Sequence, residues 1–174
     1  MEVVLHIIRR VGRGCRKAKT VVSKGKEEPV MSGDNEAKRA LVVEGDEAFR
    51  ERLVGWVEEL GWTVEAFGDG MEAIAYLGAS QVYWRDDGWP DVVIADVDMP
   101  AYSGLDLLTA MRASRERVPT MLILNCEDGD VEREARQLGA AGVLCKPFDK
   151  ATFQRRVMSC AGRPVVRTTP IGNY

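Results

Sequence analysis

Residues 91–100 read Asp-Val-Val-Ile-Ala-Asp-Val-Asp-Met-Pro, and this stretch decides the fold. Its apolar run, residues 92–95, is short and bounded by residues that favour turns, a pattern typical of a buried parallel strand. Asp96 then falls at the carboxyl end of that strand, where open α/β sheets place their ligands and their chemistry. A carboxylate in that position can bind a cation or act as a nucleophile, whereas an isolated Asp more often only begins a turn.

Two further stretches favour the functional interpretation of Asp96. Residues 41–46 (Leu-Val-Val-Glu-Gly-Asp) form a second apolar strand pattern that ends in acids, and residues 142–148 form a third that ends in Lys-Pro-Phe. Because adjacent parallel strands bring their carboxyl ends together, we expect Glu44, Asp96 and Lys146 to converge on one pocket. Two carboxylates and an ammonium suit Mg²⁺ and a phosphoryl group, since Mg²⁺ prefers oxygen ligands and lysine neutralises phosphoryl oxygens.

Strand and helix patterns alternate along the rest of the chain. Five such pairs predict an α/β fold, a doubly wound five-stranded parallel sheet with right-handed crossovers and helices on both faces. Asp46 is expected to cap the first helix and Gly61 to end it. The predicted strands are 40–44, 63–67, 92–96, 120–124 and 142–145, and the predicted helices are 47–60, 71–77, 105–115, 131–138 and 151–160.

Residues 39–161 resemble the receiver domain of bacterial two-component response regulators, of the chemotaxis-regulator-like kind. The resemblance rests on four motifs in register: acids after the first strand, Asp-x-x-Met-Pro from Asp96, Gly-Ala before the fifth strand, and Lys-Pro-Phe from Lys146. It implies a flavodoxin-like sheet with strand order 2-1-3-4-5. It also implies that Asp96 is the phosphoacceptor and that Lys146 contacts the phosphoryl oxygens.

The resemblance further implies a Mg²⁺ site, which this chain retains only in part. Its ligands would be Glu44, Asp96 and Asp98, the last through its backbone carbonyl and with its side chain as an additional candidate. The family usually carries two adjacent acids after the first strand, but the second of these positions is Gly45 here. Asp46 follows, at a different backbone position. We therefore expect weakened Mg²⁺ binding.

The two positions that couple phosphorylation to conformational change in the family are also altered. The resemblance places the usual Thr or Ser at Leu124, reached by counting back from Lys146 and forward from Pro119, and the usual aromatic residue at Val143. A leucine side chain cannot donate a hydrogen bond to a phosphoryl oxygen. Asn125 comes next, but strand alternation predicts that it points to the other face of the sheet.

Charge divides the chain into segments. Residues 1–26 carry eight Lys/Arg and one acid, whereas the remainder carries 16 Lys/Arg and 26 acids. We expect residues 1–38 to form a basic, disordered arm and linker, 39–161 the receiver domain, and 162–174 a C-terminal tail. Met31 is an alternative candidate for the natural start, and nucleic acid contact is expected only through the arm, if at all.

Several other kinds of site are not expected. The single His6 lies outside the domain, which argues against a His/Cys metal cluster and a Ser-His-Asp triad. No apolar stretch approaches 18 residues, so no membrane span is predicted. The Tyr83–Trp89 segment is unusually rich in aromatic residues and either forms a partner surface or folds back onto a helix. Four cysteines without metal-ligand spacing are expected to be reduced: Cys15, Cys126, Cys145 and Cys160.

Three functions are compatible with this sequence. The first is a single-domain, cytoplasmic receiver that accepts a phosphoryl group on Asp96 from a histidine kinase or a histidine phosphotransfer protein. It would signal to a downstream protein, or through a homodimer, by the face of the fourth helix, fifth strand and fifth helix, and would catalyse at most its own phosphorylation and dephosphorylation. The second is a pseudo-receiver that binds a partner without phosphorylation. The third is a haloacid-dehalogenase-like phosphatase, because Asp96-Val97-Asp98 matches the Asp-x-Asp motif of that class.

Overall fold

The computed structural model describes residues 37–83, 89–113, 116–125, 129–162 and 166–167. The expected arm, the centre of the Tyr83–Trp89 segment and most of the expected tail therefore lie outside the described residues. Five strands and five helices alternate. They are β1 (Arg39–Val43), α1 (Glu47–Glu58), β2 (Thr63–Phe67), α2 (Gly70–Tyr83), β3 (Val92–Asp96), α3 (Gly104–Ala113), β4 (Thr120–Asn125), α4 (Gly129–Gln137), β5 (Gly142–Lys146) and α5 (Lys150–Ala161).

The five strands form one parallel sheet in the order β2-β1-β3-β4-β5. This confirms the predicted α/β fold and the strand order that the family resemblance implied. Each of β1, β3 and β4 is almost wholly buried, as expected of central parallel strands that are covered on both faces. The carboxyl ends of these strands therefore meet at one edge of the sheet.

Two hydrophobic clusters cover the two faces of the sheet. One cluster joins the sheet to α2, α3 and α4, and the other joins it to α1 and α5. Successive residues of β3 alternate between them, since Ala95 belongs to the first and Ile94 to the second. By the same alternation, Leu124 belongs to the first cluster and Ile123 to the second. Asp96, two residues after Ile94, therefore follows the α1/α5 side.

Local chemistry explains where the helices begin. The Asp46 side chain accepts a hydrogen bond from the Phe49 N–H and caps α1, which confirms the predicted cap. Asp149 caps α5 in the same way, by accepting from the Thr152 N–H. Gly61 has a φ of +78°, a left-handed conformation that suits glycine just after a helix. Observed and predicted bounds differ by no more than two residues, except that α2 runs six residues beyond its predicted end.

The connection from β3 to α3 is tightly packed. A Cβ atom on Gly104 would lie 2.5 Å from the carbonyl oxygen of Asp96, so α3 begins directly against the backbone of that residue. Ala101, within the same connection, has a φ of 67°. Left-handed backbone is costly for any residue with a Cβ, so this turn stores strain close to Asp96.

A second, two-stranded sheet is present that was not predicted from the sequence. Glu116–Arg117 pairs antiparallel with Val166–Arg167. The first of these strands precedes β4 and the second follows α5, so the chain after the last helix returns to the amino end of the main sheet. Trp89, from the expected aromatic segment, packs against the cluster on the α2–α4 side. Among the described helices, none combines the length and the apolar character that crossing a membrane would require.

Candidate functional site

Lys146 joins two buried carboxylates at the carboxyl edge of the sheet. Its Nζ atom lies 3.0 Å from Oδ2 of Asp96 and 3.3 Å from Oε2 of Glu44. Glu44 and Asp96 are only 2% and 3% exposed, whereas the lysine side chain keeps 26% of its surface exposed. The structure thus brings these three residues together, from β5, β3 and the residue that follows β1.

The second oxygen of Asp96 has no hydrogen-bond partner among the described residues. This atom, Oδ1, is buried although the other oxygen is bound by Lys146. A buried carboxylate oxygen without a donor is costly, because it has lost its water and gained nothing in exchange. Such an atom is a natural position for a cation or for a bond to an incoming electrophile.

The electrostatics of the pocket follow from burial and from the shared ammonium. Burial raises the pKa of Glu44 above its ordinary value of 4.5, and the charge of Asp96 adds to this rise, while the N–H of Asp46 and the Lys146 ammonium oppose it. Burial lowers the pKa of Lys146, but hydrogen bonds and charges from Asp96 and Glu44 outweigh burial, so the pKa rises above 10.5. Lys146 is therefore a permanent cation at neutral pH.

The loop after β1 is held in place by hydrogen bonds between its backbone groups and the side chains of Glu44 and Arg50. Oε1 of Glu44 accepts from the N–H of Asp46 at 3.0 Å, so both carboxylate oxygens of Glu44 are engaged. Nη1 of Arg50, on α1, donates to the carbonyl oxygens of Glu44 at 2.6 Å and of Gly45 at 3.4 Å. The position of Gly45 is thus fixed, and a Cβ atom there would find its nearest neighbour at 3.9 Å.

An aromatic wall borders Lys146 on the α1 side. Its ammonium lies 4.8 Å from the centre of the Phe49 ring, within the range of a cation–π contact. Phe49 in turn packs against Phe148, whose ring stacks on Phe153 at 5.9 Å. A cleft of about 540 Å³ opens beside this wall and is lined by Asp46, Ala48, Phe49, Arg52, Lys146, Pro147 and Phe148.

Asp98 is exposed, and its side chain is bound elsewhere. Its Oδ2 atom accepts a hydrogen bond of 2.7 Å from Nδ2 of Asn125, the last residue of β4. Alternation places Leu124 and Asn125 on different faces of the sheet, as predicted. The face that Asn125 shares is the α1/α5 side, which Asp96 also follows.

The three altered family positions are filled without polar groups. Leu124 and Val143 are 2% and 7% exposed and both belong to the cluster on the α2–α4 side. Both side chains are themselves aliphatic, so neither position offers a hydroxyl or an aromatic ring near Asp96. Gly45 is exposed and offers only backbone atoms.

The residues present fit Mg²⁺, but with fewer protein ligands than the family usually supplies. Among the described residues, no three His, Cys, Asp or Glu side chains are placed to hold a metal ion, so Asp98 does not join Glu44 and Asp96 in one cluster. Mg²⁺, however, commonly binds proteins through one or two carboxylates and keeps several waters. The unpartnered oxygen of Asp96, with Glu44 beside it, supplies that smaller set.

Comparisons with known proteins agree with this geometry. Residues 40–158 match the model of the response regulator receiver domain family. The Regulator of RpoS from Escherichia coli strain K12 is 32% identical over 124 residues, which cover 71% of this chain and 34% of that protein. A response regulator receiver protein from Burkholderia phymatum superposes with a TM-score of 0.62 at 26% identity, covering 77% of this chain and 99% of that one. The chemotaxis protein CheY4 of Vibrio cholerae, at 23% identity, 72% and 99% coverage and a TM-score of 0.61, shares the fold.

The chain belongs to the response regulator receiver domain family. The matched segment includes all five strands and nearly all of the last helix. The chain spans between about a third and about a half of the length of the curated relatives that it matches. Membership in this family accounts for the Asp-x-Asp sequence at Asp96, so that sequence no longer favours a haloacid-dehalogenase-like phosphatase.

Proposed function

We propose that this receiver accepts a phosphoryl group on Asp96 from the phosphohistidine of a histidine kinase or of a histidine phosphotransfer protein. The observation that carries the proposal is the buried Asp96 carboxylate, which has one oxygen on Lys146 and the other without a partner among the residues that the structure describes. A carboxylate with a free oxygen beside a permanent cation is suited to nucleophilic attack on phosphorus.

The proposed step transfers the phosphoryl group directly from nitrogen to oxygen. A carboxylate oxygen of Asp96 forms a bond to phosphorus, and the bond from phosphorus to the imidazole nitrogen breaks with its electron pair remaining on the nitrogen, which is protonated as it leaves. Lys146 neutralises the phosphoryl oxygens as a point charge. Mg²⁺, bound through Asp96 and Glu44 with the backbone carbonyl of Asp98, would supply further positive charge. Phe49 holds the ammonium in place from the α1 side.

The same site explains why the reaction is expected to be slow. Gly45 removes one carboxylate ligand, and Leu124 removes a hydroxyl that would donate to a phosphoryl oxygen. A charge-assisted hydrogen bond is worth about 1.5–3 kcal/mol, which corresponds to a factor of roughly 10 to 150 in a rate or an equilibrium. We therefore propose phosphorylation that is detectable but poor.

The remaining parts of the proposal concern where the signal goes. We propose that the protein acts in the cytoplasm and contacts a downstream protein, or a second copy of itself, through the face made by α4, β5 and α5. The charged α4, with its Asp130–Arg133 and Glu132–Arg136 pairs, supports a polar protein interface there.

Intact-mass spectrometry after incubation with acetyl phosphate and Mg²⁺ tests the phosphoacceptor. The wild-type protein is expected to gain the mass of one phosphoryl group in part of the population, and Asp96→Asn is expected to gain none. A wild type that never shifts, or an Asp96→Asn variant that still shifts, contradicts the proposal.

Gly45→Asp tests the cause of the weakness. The position has room for a side chain, so the added carboxylate should restore a ligand and increase Mg²⁺ affinity about 5- to 50-fold. Gly55→Asp is the matched control, because it adds the same charge to an uncrowded position on α1. Equal Mg²⁺ affinities for the two variants would remove Gly45 as the explanation.

A pseudo-receiver remains the second candidate. It is favoured by Leu124 and Val143, which are packed into the core as aliphatic side chains. In that case a downstream partner protein binds the wild type and the Asp96→Asn variant equally. A pull-down with that purified partner would compare the two amounts bound.

A further inference from the structure

The hydrogen bond between Asn125 and Asp98 continues the pairing of β3 with β4. In that ladder Asp96 lies opposite Ile123. Two residues further along each chain stand Asp98, beyond the end of β3, and Asn125, the last residue of β4. The register thus brings these two side chains near each other, and the 2.7 Å bond from Nδ2 to Oδ2 joins them.

This hydrogen bond engages Asp98, an acid that could otherwise serve as a third carboxylate of the cation site. Asp98 follows the acceptor by two residues, yet no third acid joins Glu44 and Asp96 among the described residues. Oδ2 of Asp98 is instead held by an amide that donates and carries no charge. The unpartnered oxygen of Asp96, which is buried, marks the position that a cation and a further ligand would share.

We propose that Asn125 is a positioning residue that keeps the Asp98 carboxylate out of the cation site and so weakens divalent cation binding. The proposal rests on the cation site of the proposed function. The bond holds Oδ2 of Asp98 and with it the orientation of the carboxylate, so only the fraction of molecules in which this bond is broken offers Oδ2 as a third carboxylate ligand. Apparent affinity is reduced by that fraction.

The experiment is a titration with MgCl₂ at constant ionic strength, followed by the ¹H–¹⁵N shifts of residues 44–46 and 96–99. Asn125→Ala is expected to bind Mg²⁺ about 3- to 10-fold more tightly than wild type, because loss of the amide releases Asp98. Asn125 is exposed, so this variant is expected to keep the wild-type fold, and the spectra themselves check that it does.

A double-mutant cycle separates this effect from a structural one. In an Asp98→Asn background the same Asn125→Ala change is expected to leave Mg²⁺ affinity unaltered, because no carboxylate remains to be released. Unchanged or weaker binding by Asn125→Ala alone overturns the proposal, and so does an equal gain in the Asp98→Asn background.

The titration needs no phosphoryl transfer. A protein that fails to become phosphorylated but shows the expected cycle keeps Asn125 in this role and loses only the proposed function. A protein that is phosphorylated on Asp96 but shows no cycle loses only the role of Asn125.

Discussion

The charged pocket at the carboxyl edge and the two positions that couple phosphorylation to conformational change in the family lie on opposite faces of the same sheet, and they differ in kind. The pocket keeps three charged side chains, Glu44, Asp96 and Lys146, which depend on one another because each is costly to bury alone. Leu124 and Val143 are apolar and depend on nothing except packing. One face thus carries charged side chains at the family's site positions, while the other carries apolar side chains where the family has a hydroxyl and an aromatic ring.

This contrast leads to a specific expectation. A ligand shifts a conformational equilibrium only through contacts that differ between the two states. With a hydroxyl and an aromatic ring absent, phosphorylation has few such contacts on the α2–α4 side. Four experiments test or refine the contrast.

The largest effect is expected from Lys146→Met. It leaves Glu44 and Asp96 as neighbouring buried acids, and removing one partner of a fully buried pair costs about 3–5 kcal/mol. Because Lys146 is partly exposed, we expect a loss of about 1–3 kcal/mol in the free energy of unfolding at pH 7, measured by urea denaturation, together with loss of phosphorylation.

Lys150→Met is the matched control for that variant. Lys150 pairs with Glu59 at 2.8 Å, but about half of each side chain is exposed, so its loss should cost about 0–1 kcal/mol. Equal losses for the two variants would mean that the pocket is no more interdependent than the surface.

The next largest effect is expected from Leu124→Thr. It restores a hydroxyl but buries it in an aliphatic cluster, at a cost of about 1–3 kcal/mol. If the missing hydroxyl isolates the two faces, beryllofluoride should produce small amide shifts in residues 129–150 of the wild type and larger ones in this variant.

Leu122→Thr controls for destabilisation alone, since Leu122 is buried in the same cluster but is not at a family switch position. Large shifts in the wild type would contradict the contrast outright. Shifts that grow equally in both threonine variants would attribute the response to loosened packing.

A smaller effect is expected from pH. The raised pKa of Glu44 means that the folded protein holds this proton more tightly than the unfolded chain, so stability falls as pH rises from about 4.5 through the pKa of the folded state. Glu44→Gln removes this dependence. Urea denaturation between pH 4.5 and 7.5 should therefore show wild type losing stability relative to Glu44→Gln as pH rises. A difference that stays constant, or grows in favour of wild type, would show that Glu44 is charged without penalty.

The smallest effect is expected from Ala101→Gly. Relief of the left-handed φ should stabilise the protein by about 0.5–1 kcal/mol after allowance for the greater freedom of glycine in the unfolded chain. Ala110→Gly, inside α3, should instead destabilise it by about 1 kcal/mol, because helical glycine is unfavourable. Loss of stability in both variants would mean that the turn beside Asp96 is unstrained.

Topology explains how much of the fold was predictable. Residues 92–96 form the predicted strand because an apolar run between turn-forming residues has one natural interpretation. The predicted end of α2 was wrong because Gly78 and Ser80 are unfavourable in a helix, and propensity alone ended the predicted helix before them. The pairing of Glu116–Arg117 with Val166–Arg167 involves segments about 50 residues apart, with no local signal in either.

The candidate site divides in the same way. The meeting of Glu44, Asp96 and Lys146 follows from parallel strands alone, because their carboxyl ends share an edge. The role of Asn125 was missed because alternation separates the two faces without saying which face carries the acceptor. That requires the register in which Asp96 lies opposite Ile123, a property of the assembled sheet.

The short pairing of Glu116–Arg117 with Val166–Arg167 has a practical consequence for anyone building reporters from this domain. It directs the chain toward the end of the sheet opposite to Asp96 and Lys146. A fusion joined after Arg167 would then begin at the end of the sheet opposite to Asp96 and Lys146. Such a fusion could be a fluorescent protein, a purification handle or a surface-attachment group. The cleft beside Lys146 would stay unobstructed in such a fusion.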